Sequence, residues 1–104
     1  LLSFRPSEDE EGESRRIVVR RLVLDVVKPH NPNIVDMAEG LSELKGVKKV
    51  DIEVKDYDST IERLKIILEG DDLDYDEIVK VIRYYGGNVA SLDGVTVETE
   101  SGSE

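Results

Sequence analysis

Arg21-Leu22-Val23-Leu24-Asp25-Val26-Val27-Lys28-Pro29-His30-Asn31-Pro32 is the stretch from which every other segment can be placed. It closes a Val, Ile and Leu-rich run over residues 17–27, the composition of a β-strand. Val18, Arg20, Leu22, Leu24 and Val26 share one face; Val19, Arg21, Val23, Asp25 and Val27 share the other. Both faces are apolar after Arg21, which predicts a central strand. Asp25 interrupts the odd face, where a cross-strand ion pair would satisfy it. The two prolines in Lys28-Pro29-His30-Asn31-Pro32 then break the strand.

Downstream, Asn33 is placed to cap a helix, with Asp36 three residues on. Ile34, Met37, Ala38, Leu41 and Leu44 form one apolar helical stripe, and Gly46 is the expected terminator. Residues 47–56 alternate, with Val50, Ile52 and Val54 opposed to Lys49, Asp51, Glu53 and Lys55. A short turn at Tyr57-Asp58-Ser59 leads to a return strand over 60–69. Leu64, Ile66 and Leu68 point inward there, and Ile61, Arg63, Lys65 and Ile67 outward. Gly70-Asp71-Asp72-Leu73-Asp74 opens a second helix, capped by Asp74 with Glu77. Its apolar face is Ile78, Val81, Ile82 and Tyr85, and Gly86-Gly87 ends it. The last strand covers 89–92 and 95–97, with a bulge or bend at Asp93-Gly94. The order β-α-β-β-α-β predicts an α+β fold, the ferredoxin-like sandwich. Its four-stranded antiparallel sheet has order 4-1-3-2 and carries two helices on one face.

A chain of 104 residues suffices for one domain. The net charge of -10 is uneven. Residues 1–14 set Arg5 against five acidic residues, and residues 98–104 add three more acids. The expected organisation is a disordered acidic extension over 1–15, the folded domain over 16–98 and a loose polar tail over 99–104. Absence of cysteine excludes disulfides, thiol catalysis and cysteine-ligated metals; a single histidine excludes a multi-histidine metal site within one chain. No apolar run reaches the roughly 20 residues of a membrane span, and the N-terminal residues are too acidic for a signal peptide, so a cytoplasmic location is expected. High charge with no glutamine, no cysteine and one methionine is thermophile-like.

Two segments, residues 21–30 and Gly70-Asp71-Asp72-Leu73-Asp74-Tyr75-Asp76-Glu77-Ile78, resemble the signature segments of the archaeal family domain of unknown function 211. The Gly86-Gly87 step and closing strand also match, so the resemblance spans about residues 16–97. It implies a ferredoxin-like fold and ring-shaped homo-oligomers, and it implies no activity. The acidic extension and polar C-terminal end depart from the family pattern.

The topology gathers Lys28, His30, Asp56, Asp58 and the Gly86-Gly87-Asn88 turn at one end of the sheet. Arg15, Arg16, Glu69, Asp71 and Asp72 gather at the other. The helix-free face carries Arg21, Val23, Asp25, Val27, Arg63, Lys65 and Ile67, a mixture suited to a subunit interface. Lys28, His30 and Asn88 are the candidate residues for binding a small molecule. Glu69, Asp71 and Asp72 are the candidate site for a Ca2+ or Mg2+ ion shared between subunits; no other cofactor is expected. Asp72-Leu73-Asp74-Tyr75-Asp76 imitates a calcium loop, but Glu77 replaces the turn glycine and Arg83 the bidentate glutamate. Helix capping explains the run better. Nucleic acid is not an expected partner, because the outward positions of the third strand are Arg63, Lys65 and Ile67 rather than stacking aromatics. No phosphate loop or nucleophile–base pair supports an enzyme. The expected role is a non-enzymatic homo-oligomer, with a small-molecule- or cation-binding regulatory module as the alternative.

Overall fold

A computed structural model describes residues 15–101 of the chain. Its elements are β1 (Arg15–Pro29), α1 (Ile34–Ser42), β2 (Val47–Tyr57), β3 (Ile61–Gly70), α2 (Tyr75–Tyr84) and β4 (Asn88–Ser101). One antiparallel sheet has the order β2-β3-β1-β4, which is 4-1-3-2 read from the other edge. The molecule is an α+β ferredoxin-like sandwich. The helices touch each other, with α1 along β2 and α2 along β4.

Strand periodicity decides the core. Leu22, Leu24 and Val26 of β1 pair with Leu68, Ile66 and Leu64 of β3, and all six are buried. Met37 and Leu41 of α1, and Ile78 and Ile82 of α2, close over them with Leu73. Each such aliphatic side chain contributes about 1.5–3 kcal/mol on burial. Both helix starts are as the sequence predicts: Asn33 Oδ1 accepts from Asp36 N at 2.9 Å, and Asp74 Oδ1 from Glu77 N at 3.3 Å. The end of α2 is a Schellman turn. Gly87 N donates to Ile82 O and Gly86 N to Arg83 O, with Gly86 at φ +86°.

Several boundaries differ from the sequence expectation. α1 ends at Ser42, with Glu43 as its cap, so Gly46 does not terminate it. Gly46 instead turns the chain into β2 at φ +88°. Leu44 lies past the helix end yet still packs on the core. β1 runs through Lys28 to Pro29, because Lys28 remains in register opposite Glu62. β4 continues to Ser101, three residues into the stretch read as a polar tail. The expected extension over residues 1–15 overlaps β1 at Arg15; residues 1–14 and the end beyond 101 lie outside the described residues.

The bulge expected at Asp93-Gly94 is present. Val23 pairs with Gly94 and Leu24 with Leu92, which leaves Asp93 as the extra residue. Ala90 is a second extra residue in β4, and Arg20 an extra one in β1. β3 begins to pair with β1 only at Arg21, so residues 15–20 and 97–101 form a two-stranded ribbon extending past the four-stranded body.

Candidate functional site

The helix-free face is built from four cross-strand rows. They are Lys49–Glu69–Arg21–Thr96, Asp51–Ile67–Val23–Gly94, Glu53–Lys65–Asp25–Ser91 and Asp56–Arg63–Val27–Asn88. All seven candidate interface residues therefore share this face. Charge alternates in sign along three of the rows, so most charges have an opposite neighbour within the sheet. Asp25 has its ion pair. Arg63 Nη2 lies 2.7 Å from Asp25 Oδ2, with Nε at 3.1 Å from Oδ1. The pair is diagonal, since Lys65 and not Arg63 is directly opposite Asp25. The Arg63 hydrogen bond holds the Asp25 carboxyl below the ordinary carboxylate range. Lys55 departs from the expected alternation. It is a bulge residue, and Asp56 takes the place opposite Arg63. Lys55, Asp56, Asp25, Arg63, Lys65 and Asp93 line a shallow groove of about 660 Å³.

The C-terminal end of β1 holds a second cluster. Lys28 is fully buried on the helix-bearing side, directly opposite Glu62. Its Nζ lies 3.3 Å from Glu62 Oε1 and donates to Pro29 O at 2.7 Å and to Pro32 O. The ammonium thus closes the turn into α1 by donating to carbonyls on either side of it. His30 bridges outward from the same carboxylate. Nδ1 lies 3.1 Å from Glu62 Oε2, and Nε2 2.7 Å from Asp58 O. Both partners are acceptors, so only the imidazolium satisfies both at once; the Asp58 carbonyl and then Glu62 raise the His30 pKa. Asp58 in turn ties the β2–β3 hairpin, accepting from Ile61 N at 2.9 Å and Thr60 N at 2.8 Å, which lowers its own pKa.

Lys28 and His30 therefore meet through Glu62. Asn88 does not join them, because it pairs with Val27 and so lies on the opposite face from Lys28. Glu62 was missed in the sequence. The signal was present: Lys28 continues the buried parity of Leu22, Leu24 and Val26, and Glu62 continues that of Leu64, Ile66 and Leu68. Antiparallel pairing makes the two charges opposite.

At the other end, each candidate cation ligand faces its own base. Glu69 lies 3.8 Å from Arg21, Asp72 3.6 Å from Arg16, and Asp71 2.9 Å from Lys48 with Arg20 also on it. Lys48 is the main cause of a lowered Asp71 pKa. Arg20 also holds Glu98, at 2.8 Å, and Glu100. Among the described residues, no three His, Asp or Glu side chains converge as a metal site. Among them too, no helix is long and apolar enough to cross a membrane.

Two comparisons bear on this architecture. Residues 20–100 match the family model DUF211, described as an uncharacterized ArCR. An uncharacterized protein of the archaeon Methanocaldococcus jannaschii is 44% identical over 77 residues, which cover 74% of this chain and 79% of that protein.

Proposed function

We propose that this chain, which belongs to the uncharacterized archaeal family DUF211, is a non-enzymatic protein that assembles with copies of itself through its exposed sheet face and strand edges. The observation that carries this reading is the uncovered apolar margin of the sheet. Val54 on β2, and Leu92, Val95 and Val97 on β4, are large aliphatic residues left exposed at its two outer strands. Val23, Val27 and Ile67 add half-covered apolar surface between the charges of the open face. Apolar surface rimmed by charge is the composition of a protein contact. A ring is the form of assembly proposed, as the family resemblance implies; a contact between unlike surfaces gives a ring where its rotation closes and a filament where it does not.

Native mass spectrometry of the full chain tests the reading. The expected result is a single closed multiple of the subunit mass, and a monomer at micromolar concentration overturns it. Asp25→Lys tests the face separately from the edges. It sets a third cation against Arg63 and Lys65, so a face contact is expected to be lost while circular dichroism is retained. Full-sized assembly of this variant assigns the contact to the edges alone.

A further inference from the structure

The register of the sheet specifies how two copies can meet, and this inference rests on the self-assembly reading above. On the helix-bearing side, Val50 of β2 is in line with Leu68, Leu22 and Val95, and Ile52 with Ile66, Leu24 and Leu92. Each apolar row is buried at its centre, half-buried at its β2 end and open to solvent at its β4 end, with Val95 55% and Leu92 46% exposed. Val97 is two residues from Val95 along a stretch of β4 without extra residues, so it shares that side and is 49% exposed. At the opposite margin, α1 and β2 leave an apolar groove formed by Ile34, Val35, Ala38, Val50 and Ile52.

Successive strands are antiparallel across the sheet, so β2 and β4 run in opposite directions. Laying β4 of one copy beside β2 of the next therefore makes one more antiparallel pair, the pairing used throughout the sheet. Bulges limit where that pair can be regular. Asp93 and Ala90 interrupt β4 on one side of Gly94, while Lys48 and Lys55 flank the regular part of β2. Bulges of this kind blunt a sheet edge, so pairing is confined to the segments between them. Those segments are residues 94–101 and 49–54.

We propose that β4 of one copy adds to β2 of the next, with Val97 opposite Val50 and Val95 opposite Ile52. This register sets apolar residues against apolar on the helix-bearing side. On the other side it sets Lys49 opposite Glu98, a charge match that a one-step slip destroys. Lys45 and Lys48 then lie near Glu100 of the neighbour. The partner is a second copy of this chain, because the two complementary strips are the two edges of one sheet. The contact joins unlike surfaces and so propagates head to tail.

The chain has no cysteine, which makes disulfide trapping clean. Val50→Cys/Val97→Cys and Ile52→Cys/Val95→Cys are oxidised under native conditions and read on a denaturing gel, with circular dichroism as the check on folding. In a single copy the paired positions are three strand spacings apart, about 14 Å, too far for an internal bond. The expected result is a ladder of covalent dimers, trimers and higher forms from either double variant, and only uncrosslinked chain from each single variant. Dimers from a single variant, with no higher species, mean like-edge contact and overturn the proposal. So does a native assembly in which neither double variant crosslinks, an outcome that leaves self-assembly itself standing. A monomeric native mass overturns both.

Discussion

Lys28 is where strand pattern and turn chemistry meet. Its parity places it inside, and the turn after it leaves carbonyls that need a donor. Removing the ammonium strands those carbonyls and leaves the Glu62 carboxylate, whose side chain is only 15% exposed, with His30 as its remaining partner. Lys28→Met is therefore expected to cost about 3 kcal/mol in urea unfolding. Adding Glu62→Leu in the same chain is expected to recover most of that loss, because no buried charge is then unpaired. A double variant as unstable as the single one places the cost in the turn carbonyls. His30 gives a pH dependence of opposite sense to that of the carboxylates. Its folded pKa is raised above 6.5, so its contribution is complete below that pH and declines as pH rises through the folded value. The stability gap between the parent and His30→Ala is expected to narrow above about pH 6.5 in equilibrium unfolding at a series of pH values. For Asp25 the sense is reversed, since a lowered pKa places the loss at acid pH.

At the level of elements, turns and caps were legible where a specific residue type is required. Gly86 adopts φ +86° and Gly87 packs so that an added Cβ would lie 2.9 Å from Ile82 Cγ2. The double glycine thus marks both a left-handed turn and a close approach of α2 to β1. Gly86→Ala is expected to lower stability by about 1 kcal/mol, and Gly86→Asn by less, since asparagine tolerates that backbone region. Unchanged denaturant slopes with shifted midpoints are the measurement. Gly46 shows the limit of the same logic. Its sequence position after Leu44 fits a helix terminator, yet α1 stops at Ser42. An added Cβ on Gly46 would meet Asp71 O at 2.5 Å, so this glycine answers to the loop before α2. Nothing local reveals a contact with a residue 25 positions away. The bulges divide in the same way. Asp93-Gly94 is readable from the glycine, whereas the extra residues Arg20, Lys48 and Lys55 carry no such mark.

For the whole molecule, the same sheet presents three different surfaces. One is closed by helices, one is open but largely paired in charge, and the margins leave aliphatic side chains exposed, Val54 on β2 and Leu92, Val95 and Val97 on β4. The proposed assembly at the margins would continue a sheet whose central rows are already buried, and each neighbour would cover aliphatic surface that a single copy leaves wet. Native mass and cysteine trapping separate the existence of that assembly from its geometry. The fold itself follows from period and order: alternating strands, two single-striped helices and short connections admit few arrangements besides two helices on a four-stranded sheet. The family resemblance read from residues 21–30 and 70–78 agrees with the match over residues 20–100.

Sequence alone determined the elements, the inward residues and the two helix caps, because each depends on neighbours within a few positions. It also placed Asp25 in need of a partner. The tertiary structure decided which partner, choosing Arg63 on the diagonal over Lys65 directly opposite. It joined Lys28, Glu62 and His30, and it assigned each of Glu69, Asp71 and Asp72 a separate base. These outcomes depend on strand register and on single-residue bulges, which shift side chains by one place in a pattern of period two. Such shifts cost little locally, so the packing of the whole sheet selects among them.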